Sequence, residues 1–550
     1  MQRQEPAASR RLSPAHPRAR LPWLAGNHPF LIASVFVVVA SVRIAATYKI
    51  FSFTIDEPGQ LACGLEYLSK HVYRYFTEQP PLARAAIALP PYLAGVRPLG
   101  GPEFNLEGRN VILQSPHPNR TLALMRLGIL PFFWLACAVV YLWSRRHFAG
   151  PVAPLAVALF TLLPPVLAHA GLACTDMALS ACLGAAFLAL ILWAESPSWR
   201  RGALLGTAAA LAALSKFTAL LYLPAAGMLA LLFYLAVERP RLRELWARAR
   251  DRAATFAFAV VVGALVIWAG YWFSFGKVPA WSLRLPAPEF FDGIRVALAH
   301  NRRGHPSYLL GHYGVKGWWY YFPIVLAVKT PIAFLVLLAL GTYACFRKLS
   351  VAAYRLPLVF SLGTLLPAMA GHLDIGVRHI LPVYIGFAIV AAVGLDRLLA
   401  RLRNSGVCRV AAMALILWIA IAGVVCHPDY LSYFNEFAGR EPASILVDSN
   451  LDWGQDTKRL GRRLRELDVQ EVSVMLIEPL TLPLPTEDTV RRLYGLPRIR
   501  PVDVTSPGGG WNVVSPTVAN TLGLSFQPWW DRMPPTEKVG ALWLYKIPRP

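Results

Sequence analysis

The sequence predicts an all-α polytopic membrane protein of about eleven transmembrane helices, closed by a small C-terminal α/β domain. Three observations carry this. The 550 residues are 56% hydrophobic and only 15% charged, with a mean hydropathy of +0.45, whereas a soluble domain carries about 25% charge. Apolar runs of roughly 17–25 residues, the length that crosses a bilayer, recur along the chain. The net charge of +23 is concentrated in the short gaps between those runs.

The runs lie near 29–50, 121–143, 151–169, 174–194, 202–216, 218–237, 254–274, 321–345, 356–371, 379–396 and 410–426. The run at 202–216 is short enough to need a thin membrane or partial exposure. Basic clusters fall at Arg145-Arg146, Arg200-Arg201, Arg239 to Arg252, Arg347-Lys348 and Arg397 to Arg409. This is the positive-inside pattern, and it suits an anionic leaflet. With no nucleic-acid motif beside it, the charge points to a lipid bilayer and not to nucleic acid. The segment SRRLS (9–13) looks like a twin-arginine signal, but the following run is long enough to span and lacks a cleavage site. Residues 1–28 are therefore expected to be a cytoplasmic basic tail before an uncleaved helix. An odd number of spans then places the C-terminus outside and every basic cluster inside.

The same register gives a transmembrane domain over 29–426, with outer loops at 51–120 and 275–320, and a periplasmic domain over 427–550. In the first loop, apolar and basic residues at helical spacing from Leu61 to Val72 predict a helix lying in the membrane interface. The second loop carries Trp281, Phe290, Phe291, Trp318, Trp319, Tyr320 and Tyr321. An aromatic belt accounts for most of these, and a sugar-stacking platform is the alternative. In the C-terminal part, VSVMLI (472–477) and ALWLYKI (541–547) read as strands among turns such as PGGG (507–510). The seven cysteines show neither CxxC nor metal spacing, and no disulfide framework is expected.

The stretch from Thr54 to Leu82 holds the strongest chemical signal. Asp56 and Glu57 stand where the first run ends, and Glu78 precedes Pro80-Pro81. Carboxylates drawn unpaired towards hydrocarbon cost several kcal/mol, so acids at a bilayer edge usually have a task. Asp56 reads as a catalytic base, or as the cap of the following helix. Further ionisable residues recur at the outer ends of the runs: Arg126, His169, Asp176, Lys216, Asp374, Arg378 and His379. Their convergence on one face predicts an outward-opening polar cavity, whose cations suit a lipid-borne phosphate. Bland readings stand beside these: Arg126 as a snorkelling residue and His169 as a hydrogen-bonded helix end. Asp448 to Asp452 looks like a calcium loop, but Trp453 and Arg459 occupy positions where an EF-hand needs Gly and Glu. No cofactor is indicated with certainty, and a divalent metal stays open.

The order of these features (the acid after the first span, EQPPL, the run from His169 to Asp176, then Ser215-Lys216) resembles the type C fold of polyprenyl-phosphate-sugar-dependent glycosyltransferases. Protein O-mannosyltransferases and lipid A aminoarabinose transferases are the nearest branches, and the resemblance spans about 30–400. HPDYLSYFNEFAG (427–439) and LVDSNLDWGQD (446–456) resemble the tail of bacterial members, which implies a bacterial cytoplasmic (inner) membrane with a periplasmic C-terminus. The resemblance implies a polyprenyl-phosphate sugar donor and a protein, glycolipid or polymer acceptor. It makes Asp56 the general base and Glu78 a second catalytic acid. Arg126, Lys216, Arg378 and His379 would bind the donor phosphate, with Glu57, His169 and Asp176 in support. Two positions depart from the pattern: Gln79 stands where Lys is common, and Gly171 where an arginine is common. Transfer would be a single inverting displacement.

Two other classes fit the composition. A secondary transporter would show inverted repeats and helices broken at matching places, and no such internal symmetry is evident. A non-catalytic membrane assembly subunit would not need Asp56, Glu78 and Lys216 on one face.

Overall fold

The computed structural model describes residues 28–279, 281–347, 354–401, 406–477 and 484–548. The predicted basic tail lies outside these except for His28, as do Lys348 and part of the Arg397–Arg409 cluster.

The chain is mostly helical. Its first half comprises α1 (His28–Thr47), α2 (Glu57–Lys70), α3 (Pro81–Leu93), α4 (Phe104–Gln114), α5 (Pro118–Leu127), α6 (Leu130–His147), α7 (Val152–Thr161), α8 (Pro164–Ala170), α9 (Asp176–Glu195), α10 (Trp199–Ser215), α11 (Ala219–Glu238) and α12 (Leu242–Gly270). After two short strands, β1 (Phe275–Lys277) and β2 (Arg284–Pro286), comes α13 (Pro288–Arg303), then the hairpin β3 (Ser307–Leu309) and β4 (His312–Gly314). The bundle closes with α14 (Tyr321–Lys329), α15 (Ile332–Arg347), α16 (Leu356–Met369), α17 (Val383–Arg401) and α18 (Gly406–Val425).

All eleven predicted runs lie on helices, but not all are straight spans. Among the described residues six helices are long and apolar enough to cross a membrane, or up to eight if each of two bent pairs counts as one. The pairs are α7–α8, bent by 68°, and α14–α15, bent by 114°. Proline explains both breaks: Pro164-Pro165 and Pro331 bring no backbone N–H and clash with the preceding turn. The helices α10, α16 and the 410–425 stretch are shorter.

Burial follows the apolar pattern. Helices α9 and α17, apolar all round, lie mostly buried within the bundle. Small residues let backbones approach there: Gly341 of α15 meets the Val390 carbonyl and Gly394 of α17 meets the Leu337 carbonyl. In contrast, α1, α11, α12 and α18 expose Val38, Val42, Leu232, Val261, Leu417 and Val424. An aqueous solvent would not tolerate such faces and lipid does; this is a membrane protein.

The first loop forms a helix, α2, over Leu61 and its neighbours, and most of that helix is covered by protein. Its residues Glu57 to Glu66 are buried without interruption, because α3 and α4 pack on it, with Gly64 against the Arg84 carbonyl and Gly108 against that of Pro58. Buried Arg84 ties the following loop down, donating to Gln60 Oε1 (2.8 Å), the Tyr73 hydroxyl (2.6 Å) and the Phe76 carbonyl (2.7 Å).

Beyond α18 the chain does not leave the bundle at once. Asn435 donates through Nδ2 to the carbonyls of Ala327 and Thr330, both at 2.6 Å. Buried Lys329, the last residue of α14, donates to the carbonyls of Leu431 (2.8 Å), Asn450 (2.6 Å) and Tyr433. Asn435 thus satisfies carbonyls of the broken helix end that lack intrahelical donors, while Lys329 donates the other way and holds residues 431–450. Only then follow α19 (Thr457–Glu466), β5 (Glu471–Met475), α20 (Leu484–Tyr494), β6 (Arg498–Pro501), β7 (Gly510–Val514), α21 (Pro516–Thr521), β8 (Glu537–Val539) and β9 (Leu542–Ile547). The strands form a mixed sheet ordered β6-β5-β7-β9-β8, parallel at β6-β5-β7 and antiparallel beyond. The described cysteines are free, and the side chain of Cys408 lies outside the described residues.

Candidate active site

The two adjacent acids at the start of α2 have opposite environments. Glu57 is fully buried and takes a bidentate ion pair from Arg126, Nε to Oε1 and Nη2 to Oε2, both at 2.8 Å. It also accepts the backbone N–H groups of Thr54 and Ala173, each at 2.9 Å, and Arg126 Nη2 donates to the Ser52 carbonyl at 2.8 Å. Arg126 neither snorkels nor stands open to a ligand. It is a buried clamp joining α5, α2 and the 171–175 turn, and this geometry departs from the phosphate contact expected of it.

Asp56 occupies the N-cap position of α2, but its side chain makes no capping hydrogen bond. It points instead to Arg378, whose Nη1 donates to Oδ2 at 2.7 Å. The Asp56 side chain is 35% exposed against 10% for Arg378, and Oδ1 has no protein partner among the described residues. The Arg378 guanidinium lies 4.1 Å from the ring centre of buried Trp453. Burial alone would weaken its hold on its proton, but Asp56, Asp176 and Asp448 together keep it above the usual arginine range.

Asp176 opens α9, and Lys216 closes α10 with its Nζ 2.7 Å from Asp176 Oδ1; both are buried. His169 sits between the ends of these helices and the Trp453 ring, 6.5 Å away. Neither of its ring nitrogens has a partner among the described residues, so the reading as a hydrogen-bonded helix end does not hold. Burial, reinforced by Lys216 and Arg378, pushes His379 well below the usual histidine range.

Glu78 is bound elsewhere in the cluster. His300 of α13 faces it, Nδ1 to Oε1 at 2.5 Å, and the neighbouring Thr77 donates to Asp292 Oδ2 at 2.9 Å. Gln79, standing where a lysine was expected, accepts the Thr175 hydroxyl at 2.8 Å, which joins this loop to the start of α9. Asp374 accepts the Trp318 N–H at 2.6 Å and leaves Oδ1 buried without a partner; burial pushes it up to about 7.

The sequence reading missed His300 and Lys329, and weighed Asp448 and Trp453 only as parts of a calcium loop. A lone cation in an apolar run, the signal that picks out Lys216, also picks out Lys329. Among the described residues no group of three or more His, Cys, Asp or Glu is arranged to hold a metal ion. A separate cleft of about 460 Å³ is lined by Arg465, Arg491, Arg492 and Arg498 and shares no residue with this cluster. Three of these arginines lie in the last turns of α19 and α20, where cations complement the helix dipole.

Residues 122–272 match the sequence model of the family described as dolichyl-phosphate-mannose-protein mannosyltransferase. No curated protein matches the chain. Among solved structures, ArnT from Cupriavidus metallidurans bound to undecaprenyl phosphate is similar at 14% identity and a TM-score of 0.49, over 93% of this chain and 97% of that one. The Archaeoglobus fulgidus oligosaccharyltransferase is similar at 13% identity and a TM-score of 0.48, over 89% and 62%. The Saccharomyces cerevisiae protein O-mannosyltransferase Pmt1-Pmt2 complex bound to the sugar donor is similar at 16% identity and a TM-score of 0.35, over 45% and 34%.

Proposed function

We propose that the chain is a membrane glycosyltransferase that moves a sugar from a polyprenyl-phosphate donor to an acceptor hydroxyl on the extracytoplasmic face. The observation that carries the reading is the Asp56–Arg378 pair, a part-exposed carboxylate held by a nearly buried guanidinium. Lys216 and Asp176 stand beside it, and residues 122–272, which include both, match a lipid-phosphate-sugar transferase family.

The chemistry follows from these positions. The acceptor oxygen attacks the anomeric carbon as the bond from that carbon to the phosphate oxygen breaks. Its proton passes to Asp56 Oδ1, and the electron pair of the broken bond goes to the departing lipid phosphate. That phosphate is already a good leaving group, so fixed positive charge from Arg378 and Lys216 matters more than a general acid. One displacement inverts the anomeric centre. Arg126, engaged with Glu57, then acts as a scaffold. Glu78, engaged with His300, ties its loop to α13 and does not take the proton.

The test is to incubate membranes containing the protein with labelled polyprenyl-phosphate sugars and follow label into protein, glycolipid and polymer fractions. The expected result is transfer of one sugar that stops with Asp56→Asn. Transfer that is indifferent to Asp56 would remove the reading.

A further inference from the structure

Residues 449–455, far along the chain, are held against both segments that bear the Asp56–Arg378 pair. On one side, Ile55 N donates to the Trp453 carbonyl at 3.1 Å, and Ser52 N to the Gln455 carbonyl at 3.0 Å. The Ser52 hydroxyl adds a bond to the Gln455 carbonyl at 2.7 Å. On the other side, Val377 N donates to Asn450 Oδ1 at 3.0 Å, and the Ser449 hydroxyl to the Ile375 carbonyl at 2.5 Å. Between these anchors the Trp453 ring lies over the Arg378 guanidinium.

We infer that Trp453 is a positioning residue for the Asp56–Arg378 pair, so that the segment after the last helix of the bundle is part of the transfer site. Two features of the same residue converge on this. Its carbonyl holds the backbone at Ile55, next to Asp56. Its indole fixes the guanidinium, whose Nε is buried without a partner and would otherwise gain from swinging towards any acceptor. A flat aromatic face holds a guanidinium through cation–π attraction without taking its hydrogen-bond donors. Arg378 therefore keeps Nη1 for Asp56 and its remaining donors for phosphate. Asp448, at the head of the segment with φ +59°, adds a carboxylate that Arg378 feels.

The inference rests on the proposed transferase reading, and its test separates the two. Trp453→Phe keeps an aromatic face, whereas Trp453→Leu keeps bulk alone. Misplacement of a reacting group by about 1 Å can cost 10²-fold, so Trp453→Leu should lower kcat by at least about tenfold with little change in KM for the acceptor, and Trp453→Phe should restore most of it. In an Arg378→Met background, Trp453→Leu should change kcat by less than about twofold. Leu and Phe acting alike, or the Leu effect persisting unchanged without Arg378, would overturn the assignment. A melting cycle in detergent with four of these proteins (wild type, Trp453→Leu, Arg378→Met and the double) needs no transfer. Non-additive melting temperatures are expected, and strict additivity would overturn the inference even if no donor proved active. Absence of transfer by the wild type, with non-additive melting, would remove the transferase reading alone.

Discussion

Glu57 and Arg126 form a bidentate ion pair in which neither side chain is more than 1% exposed. Two charges taken so completely from water are stable only while both remain. With two backbone N–H groups also on the carboxylate, the pair is a structural joint directly beside Asp56, the proposed base. Glu57→Gln should therefore destabilise the protein by about 3–5 kcal/mol, and Arg126→Met similarly. The double variant should lose less than the sum of the two. Melting in detergent checks this, and additive losses would mean that the two charges are not coupled.

Asp56→Asn keeps size and leaves Arg378 an acceptor oxygen, but removes the proposed base. Transfer should fall by about 10²–10⁴ while binding of the lipid-phosphate donor survives. Because the Asp56 side chain makes no capping bond, helix α2 should melt no earlier in the variant. Lost donor binding together with lost folding would make Asp56 a structural residue.

The linear order of the site was legible because intramembrane charge is costly and therefore sparse, so Asp56, Asp176, Lys216 and Arg378 stood out against apolar runs. Which acid meets Arg378 was not legible. Asp56 and Arg378 are 322 residues apart, and nothing in either segment encodes that pairing. Nor could sequence tell which of two adjacent acids turns inward, since the pitch of the first turn of α2 decides that Glu57 takes Arg126. Charge composition likewise could not show that His379 is driven below the usual histidine range, because that follows from burial beside two cations. The stretch 446–456 was noticed as a motif, but its role depends on a return to the bundle through Lys329 and Asn450 that no local period announces.

Asp374 makes a pH-dependent contribution with a definite sign. Burial raises its carboxyl to about 7, against about 3.9 for a free aspartate. Between those values the folded protein holds more protons than the unfolded chain, so stability falls as pH rises from about 4 to about 7 and levels above. Asp374→Asn keeps an acceptor for the Trp318 N–H and removes the titration. The variant should gain on the wild type, by a few degrees in Tm, between pH 4.5 and pH 8. Asp456, also raised to about 7 by burial, titrates in both proteins and cancels. A difference that stays flat with pH would show that Asp374 does not titrate in this range.

Lys216 has two candidate tasks, and its pairing with Asp176 allows them to be separated. The Nζ to Oδ1 distance is 2.7 Å with both groups buried, so Lys216→Met strands a carboxylate and should cost about 3–5 kcal/mol of stability. Loss of activity in that variant alone would therefore say nothing about phosphate. Lys216→Met with Asp176→Asn removes both charges together and should recover most of the fold. An ammonium carries three N–H donors and Asp176 accepts from one direction, which leaves donors for a lipid phosphate. A charged hydrogen bond is worth about 1.5–3 kcal/mol, so the folded double variant should bind both the lipid-phosphate sugar and the free lipid phosphate at least about tenfold more weakly. The single variant Asp176→Asn, which keeps the cation, should bind the lipid phosphate as well as the wild type or better. If the double variant binds lipid phosphate normally, Lys216 serves Asp176 alone and the phosphate charge is met by Arg378.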